Sequence, residues 1–178
     1  SCAVFDAAGN LIANAPHMPV HLGSMGASVR AVLGNHRTDM TAGDAWLLNS
    51  PYAGGTHLPD MTVVSPVYLD THPGRGAPDY FVASRAHHAD IGGIAPGSMP
   101  PESRTIEEEG VLIDNVLLVD EGRFDEAAMR TLLASAAYPA RNPDRNLSDL
   151  RAQLAACTRG AELLQGAARD QGADVVAA

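Results

Sequence analysis

Between Trp46 and Leu132 the chain alternates short β-type runs with clusters of glycine and proline, which limits it to a sheet of short strands joined by long shaped loops. The runs are Ala45-Trp46-Leu47-Leu48, Met61 to Tyr68, Tyr80 to Ala86 and Val111 to Val119, and the clusters fall at 51–59, 73–78 and 92–101. The 17 glycines and 12 prolines are somewhat above average use. Concentrated between strands, they mark loops of the kind that carry function more often than short turns do.

The flanks read differently. Two short apolar runs around Gly9-Asn10, within Cys2 to Ala13, predict a hairpin. Leu22, Met25, Val29, Val32 and Leu33 recur at helical spacing and predict one amphipathic helix that stops at Gly34. Beyond Phe124 alanine and leucine dominate. Asp125 is placed to cap a helix reaching about Tyr138, Asn142-Pro143 reads as a breaker, and Ser148 as the cap of a second helix through Leu164. Leu150, Leu154, Cys157, Ala161 and Leu164 give that helix one apolar face for core packing. The expected fold is mixed α+β, a single partial domain over 1–178, β-rich across 1–123 with a helix near 22–33 and helical across 124–170. Ser1 is not a methionine and Ala3-Val4-Phe5 already reads as a strand, so further chain is expected upstream.

Charge narrows the function. A formal net charge of -9 argues against a general nucleic-acid binder, whose phosphate contacts need a basic surface. The sequence contains arginine but no lysine, which excludes Schiff-base chemistry and a lysine-bearing phosphate loop within this segment. Cys2 and Cys157 form no C-x-x-C unit, so neither a disulfide framework nor a thiolate zinc site is suggested, and a reducing compartment is expected. No apolar run is long enough for a membrane helix, and the first residues lack a signal-peptide pattern, so the chain reads as cytoplasmic.

Two stretches concentrate candidate chemistry. Asn49-Ser50-Pro51-Tyr52-Ala53-Gly54-Gly55-Thr56-His57-Leu58-Pro59-Asp60 delivers an imidazole and a carboxylate three residues apart from a glycine-rich loop. Arg85-Ala86-His87-His88-Ala89-Asp90-Ile91-Gly92-Gly93 repeats the combination at a strand exit. On a strand continuing to position 90, His88 and Asp90 share a face and His87 takes the other, so one histidine of the pair faces the site and one is packed. His57, Asp60 and one of the pair would leave coordination positions open, as a catalytic metal requires. Imidazole and carboxylate without thiolate suit manganese, zinc or iron(II). His21 stands just before a helix whose free N–H groups suit an anion, and within Glu107-Glu108-Glu109 a carboxylate such as Glu108 offers a general base or further ligand. The plainer readings are a helix-entry histidine and a solvated acidic turn.

In order along the chain, Pro-His-Met-Pro-Val-His-Leu-Gly-Ser-Met, Gly-Asp, Asn-Ser-Pro-Tyr-Ala-Gly-Gly-Thr-His-Leu-Pro-Asp, His-His-Ala-Asp-Ile-Gly-Gly, Pro-Gly-Ser-Met-Pro-Pro and Glu-Glu-Gly resemble the hydantoinase B/oxoprolinase family. The late helix start at Asp149-Leu150-Arg151-Ala152-Gln153 continues the match. The family includes ATP-dependent 5-oxoprolinase, N-methylhydantoinase, and acetone and acetophenone carboxylases. The resemblance implies an A-type partner that binds ATP and phosphorylates the substrate, which accounts for the missing phosphate loop. It also implies a catalytic metal held through His57, Asp60 and the His87/His88 pair; on the donor chemistry manganese, zinc or iron would suit, Asp90 is a further candidate ligand, and His21 or Glu108 are candidate proton handlers.

The activity so implied is ring opening of a cyclic amide, a lactam or hydantoin. The alternatives are carboxylation of a ketone, or a non-catalytic assembly segment whose histidines only stabilise the fold. Family B subunits are several times longer, so large N- and C-terminal portions are expected to be absent. Ser50 stands where the family often carries aspartate, which removes any role for that carboxylate here.

Overall fold

The computed structural model describes residues 1–15, 18–69 and 77–176. Seven strands form one antiparallel sheet: β1 (Cys2–Asp6), β2 (Leu11–Asn14), β3 (Ala45–Leu48), β4 (Asp60–Val67), β5 (Tyr80–His87), β6 (Val116–Asp120) and β7 (Arg123–Phe124), in the order β2-β1-β5-β4-β3-β6-β7. Among the described residues four α-helices accompany them: α1 (Pro19–His36), α2 (Glu126–Ala134), α3 (Pro143–Gln171) and α4 (Ala173–Val176). The architecture is mixed α+β.

The central strands are apolar at nearly every position because both faces of the sheet are covered. Successive side chains alternate between faces. Trp46, Leu48, Val64, Phe81 and Ala83 pack with Met25, Val29 and Val32 of α1. Ala45, Leu47, Met61, Val63, Val67, Tyr80 and Val82 pack on the other side with Met129 and Leu133 of α2 and Leu147, Leu150 and Cys157 of α3. Full burial of a residue such as Phe81, 0% exposed, contributes about 1.5–3 kcal/mol. A one-residue slip of β4 against β5 would exchange the two cores, so the register is firmly specified.

Several boundaries differ from expectation. α1 starts at Pro19, whose fixed φ suits a first helical turn, and so contains His21 instead of following it. It runs through Gly34 to His36, because Gly34 does not take the left-handed φ that would end it and the chain stays right-handed to Arg37. Asn142-Pro143 starts α3 instead of breaking it: the Asn142 side chain accepts from Arg145 N and Pro143 takes the first turn. Ser148 therefore lies inside the helix, its hydroxyl donating to Asp144 O.

Asp125 caps α2 as expected, accepting from Ala128 N at 2.9 Å. That helix ends at Ala134, short of Tyr138, where the Ser135 amide and hydroxyl both donate to Leu132 O. The run at 111–119 splits. Asn115 takes a left-handed φ of 49° and only Val116–Asp120 joins the sheet, while Val111 and Ile113 are buried in a loop. The loop expected at 73–78 lies, except for 77 and 78, outside the described residues, as does His17. Among the described residues no helix is long and apolar enough to cross a membrane.

Candidate metal centre

Register alone creates the first contact of the site. Asp60 at the start of β4 pairs directly with His87 at the end of β5, and two residues further in Thr62 pairs with Arg85. Directly opposed residues of an antiparallel pair share a face. Asp60, Thr62, Arg85 and His87 thus all project toward α1, the side that carries Val64 and Ala83 further along the same strands.

The 51–59 loop brings the next side chain of the cluster. Gly54 adopts a left-handed φ of 89°, and a Cβ there would lie 2.6 Å from Ala27 O; a Cβ at Gly55 would lie 2.3 Å from Asn49 O. Only glycine lets the loop lie this close to α1 and to its own stem. Asn49, 0% exposed, fastens the stem: Nδ2 donates to Leu58 O and Val111 O at 2.9 Å, and Oδ1 accepts from Ile113 N at 2.7 Å. The loop then turns His57 back over Asp60.

The Asp60 carboxylate is the hub. Oδ2 lies 3.1 Å from His57 Nδ1 and 3.2 Å from His21 Nε2 and accepts from Thr56 Oγ1 at 3.1 Å, while Oδ1 lies 3.1 Å from His87 Nδ1. His57 Nε2 is 3.3 Å from His87 Nδ1. One ligand atom each from His57, Asp60 and His87 falls within 4.8 Å of the others. The Asp60 side chain is only 2% exposed, but those of His57 and His87 are 40% and 48% exposed, so the cluster has a solvent-facing side.

Electrostatics follow the geometry. Burial pushes the Asp60 carboxyl up, but His57, His87, His21 and Thr56 outweigh it and hold it below the ordinary carboxylate value. For His21 burial lowers the value and wins over the attraction of Asp60, with Arg85 acting in the same direction as burial. Neutral His21 bridges Ser1 Oγ at Nδ1, 2.9 Å away, and Asp60 at Nε2.

Not every expected residue arrives. β5 ends at His87, so the alternation that would have aligned His88 with Asp90 stops before them. His88 is 0% exposed on the α3 side: Asn146 Nδ2 lies 3.1 Å from Nδ1 and Gln153 Oε1 lies 3.0 Å from Nε2, which fits a neutral ring with its proton on Nε2. Burial depresses its basicity further. Asp90 is spent on its loop, accepting from Gly92 N, Gly97 N, Arg141 N and the Arg141 guanidinium. Glu108 accepts from Arg104 N and Thr105 N in a capping box. Its neighbour Glu109 instead lines, with His57, Ser98, Met99 and Pro100, a cavity of about 340 Å³.

Sequence reasoning gave no role to Arg85, Thr56, Thr62 or Gln153, and within the 107–109 run it singled out Glu108 over Glu109. Two had a signal. Arg85 is a charge within a run otherwise buried on both faces, two residues from His87, and Gln153 interrupts the apolar face of α3 between Leu150 and Cys157. Nothing in Glu107-Glu108-Glu109 separates its members.

A mixed sheet-and-helix unit thus carries an imidazole–carboxylate cluster whose donor atoms could hold a metal ion. The chain belongs to the hydantoinase B/oxoprolinase family, whose profile matches residues 1–178. It is 46% identical over 176 residues to a 5-oxoprolinase of Dictyostelium discoideum, covering 99% of this chain and 13% of that protein. The chain therefore spans a small part of the length of such relatives. The crystal structure of an ATP-dependent caprolactamase from Pseudomonas jessenii superposes with a TM-score of 0.84 at 28% identity, over 98% of this chain and 29% of the other. A nucleotide-free acetone carboxylase shares the fold, with a TM-score of 0.85 at 18% identity over 99% of this chain and 22% of the other.

Proposed function

We propose that this chain is the metal-holding part of an ATP-dependent enzyme that hydrolyses the C–N bond of a cyclic amide, with ATP bound by a partner subunit or domain. The observation that carries the reading is the convergence of His57, Asp60 and His87 around one solvent-facing point. Structural histidines are expected to be packed, as His88 is. Imidazoles 40% and 48% exposed contribute little to packing, which supports a binding role over a stabilising one.

The donor set fits a divalent ion of the manganese, zinc or iron(II) kind, with His57, Asp60 and His87 as the holding residues. Such an ion would supply polarisation of a carbonyl oxygen and a lowered pKa for bound water. The protein's own groups do the rest. Asp60 stays ionised and presents charge to the site. His21 occupies one side of Asp60 Oδ2 and orients it, so its role is support of the ligand. The cavity beside His57 is of a size for a small ring, and Glu109, which lines it and accepts from Ser103 Oγ at 3.3 Å, is the candidate for proton transfer at that ring.

The absence of lysine and of any phosphate-loop sequence supports placing ATP elsewhere. The 5-oxoprolinase relative supports a lactam such as 5-oxoproline as substrate. The test is cyclic-amide-dependent ATP hydrolysis by the parent-length protein together with its ATP-binding part. Wild type is expected to couple the two. His57→Ala and Glu109→Gln are expected to abolish or strongly reduce amide hydrolysis, and full activity in His57→Ala would refute the assignment.

A further inference from the structure

Arg85 is a cation sealed inside the molecule, 1% exposed, and a buried charge is costly unless its surroundings satisfy it. Its donors meet hydroxyls. Nε donates to Thr62 Oγ1 at 2.7 Å, Nη1 to Ser24 Oγ at 2.5 Å and Nη2 to Ser28 Oγ at 2.7 Å. Each hydroxyl then hands its own proton to a backbone carbonyl. Thr62 donates to Asp60 O at 3.3 Å, Ser24 to Val20 O at 2.8 Å with His21 O at 3.4 Å, and Ser28 to Gly54 O at 2.5 Å.

Those carbonyls belong to three different segments: the head of β4 with Asp60, the first turn of α1 with His21, and the glycine loop that leads to His57. The fourth segment is β5 itself, where Arg85 precedes His87 by two residues. The three-armed arrangement needs a planar group with donors at fixed angles, which a guanidinium has and an ammonium lacks.

We propose that Arg85 is the positioning residue of the His57–Asp60–His87 site, setting the register of its segments through Thr62, Ser24 and Ser28. Its consequence for metal affinity rests on the metal-centre reading, whereas the positioning itself does not. Support of this kind characteristically changes metal affinity by about 10- to 100-fold when removed.

The experiment follows the imidazole nitrogen resonances of the metal-free chain and, separately, calorimetric Mn²⁺ titration, for wild type, Arg85→Gln, Arg85→Lys, Ser28→Ala and Ser24→Ala. Arg85→Gln is expected to shift His21, His57 and His87 while leaving His36 and His88 in place, and to weaken Mn²⁺ about 10- to 100-fold. Arg85→Lys is expected not to restore either property. Ser28→Ala should move His57 and leave His21, and Ser24→Ala should do the reverse.

If Arg85→Gln fails to fold, the two serine variants carry the test, since each removes one arm. Arm-specific shifts in a chain that takes up no Mn²⁺ would uphold the positioning role and sink the metal reading. Normal Mn²⁺ uptake by both serine variants with no arm-specific shift would sink the positioning role alone. Equal movement of all the histidines, His36 and His88 included, would show general loosening and also overturn it.

Discussion

The Asp60 carboxylate and the His87 imidazole face each other across β4 and β5, directly paired in register, with Oδ1 3.1 Å from Nδ1. Since the His87 side chain is 48% exposed, its loss removes a proposed ligand without opening the core. His87→Ala is expected to change unfolding free energy by less than about 1 kcal/mol while lowering divalent-metal affinity by at least about 100-fold. Chemical denaturation and metal titration on the same preparation check the split.

Asn49 should show the opposite behaviour. It is fully buried and satisfies Leu58 O, Val111 O and Ile113 N, tying the His57 loop to the segment that follows Glu109. Asn49→Ala leaves these groups without partners and is expected to cost about 3 kcal/mol, measured by urea unfolding, with Asn49→Asp no better. Metal affinity should fall as a secondary effect of the loosened loop.

The loop at Asp90 gives a pH signature. Burial raises that carboxyl, but the amides of Gly92, Gly97 and Arg141 and the Arg141 guanidinium overcome it, leaving the folded-state pKa below the ordinary value of about 4. A depressed folded pKa means that the contribution is complete above the unfolded value and lost as pH falls through the folded one. Asp90→Asn is expected to be less stable than wild type by about 1–2 kcal/mol at pH 7, with the two unfolding curves converging below about pH 4. A constant gap across that window would assign the loss to something other than the charge.

The two thiols should separate cleanly. Cys157 is 3% exposed on α3, and burial pushes its thiol up to about 12. Thiolate is the reactive form, so Cys157 is expected to resist a thiol reagent in the folded chain and to react on unfolding. Cys2, half-buried, is the one expected to react first. Prompt modification of two thiols under native conditions would mean that α3 opens readily.

The strands were legible in sequence because burial on both faces leaves continuous apolar runs, and β4 and β5 fall within a residue of the expected bounds. The helix ends, apart from the Asp125 cap of α2, were not, because proline and asparagine mean different things at different ends. Asn142-Pro143 is a cap and first turn at the head of α3, and only the packing of Leu147 and Leu150 against the sheet shows which way the chain runs from it.

Within the candidate site, His57 and Asp60 stand out in sequence because glycine loops deliver them together. The choice between His87 and His88 depended on where β5 ends, which is a tertiary fact. The hydroxyls around Arg85 come from residues 24, 28 and 62, distant in sequence and ordinary in type, and only the folded arrangement shows that they converge.

The central claim is that His57, Asp60 and His87 bind one divalent ion, and elemental analysis of the purified chain tests it most directly. Wild type and Asp60→Asn, both shown to be folded, would be exposed to manganese, zinc and iron(II) and then desalted. Near-stoichiometric metal in wild type and none in Asp60→Asn is the predicted result. A folded wild-type chain that retains no metal, or an Asp60→Asn variant that retains as much, would contradict the account.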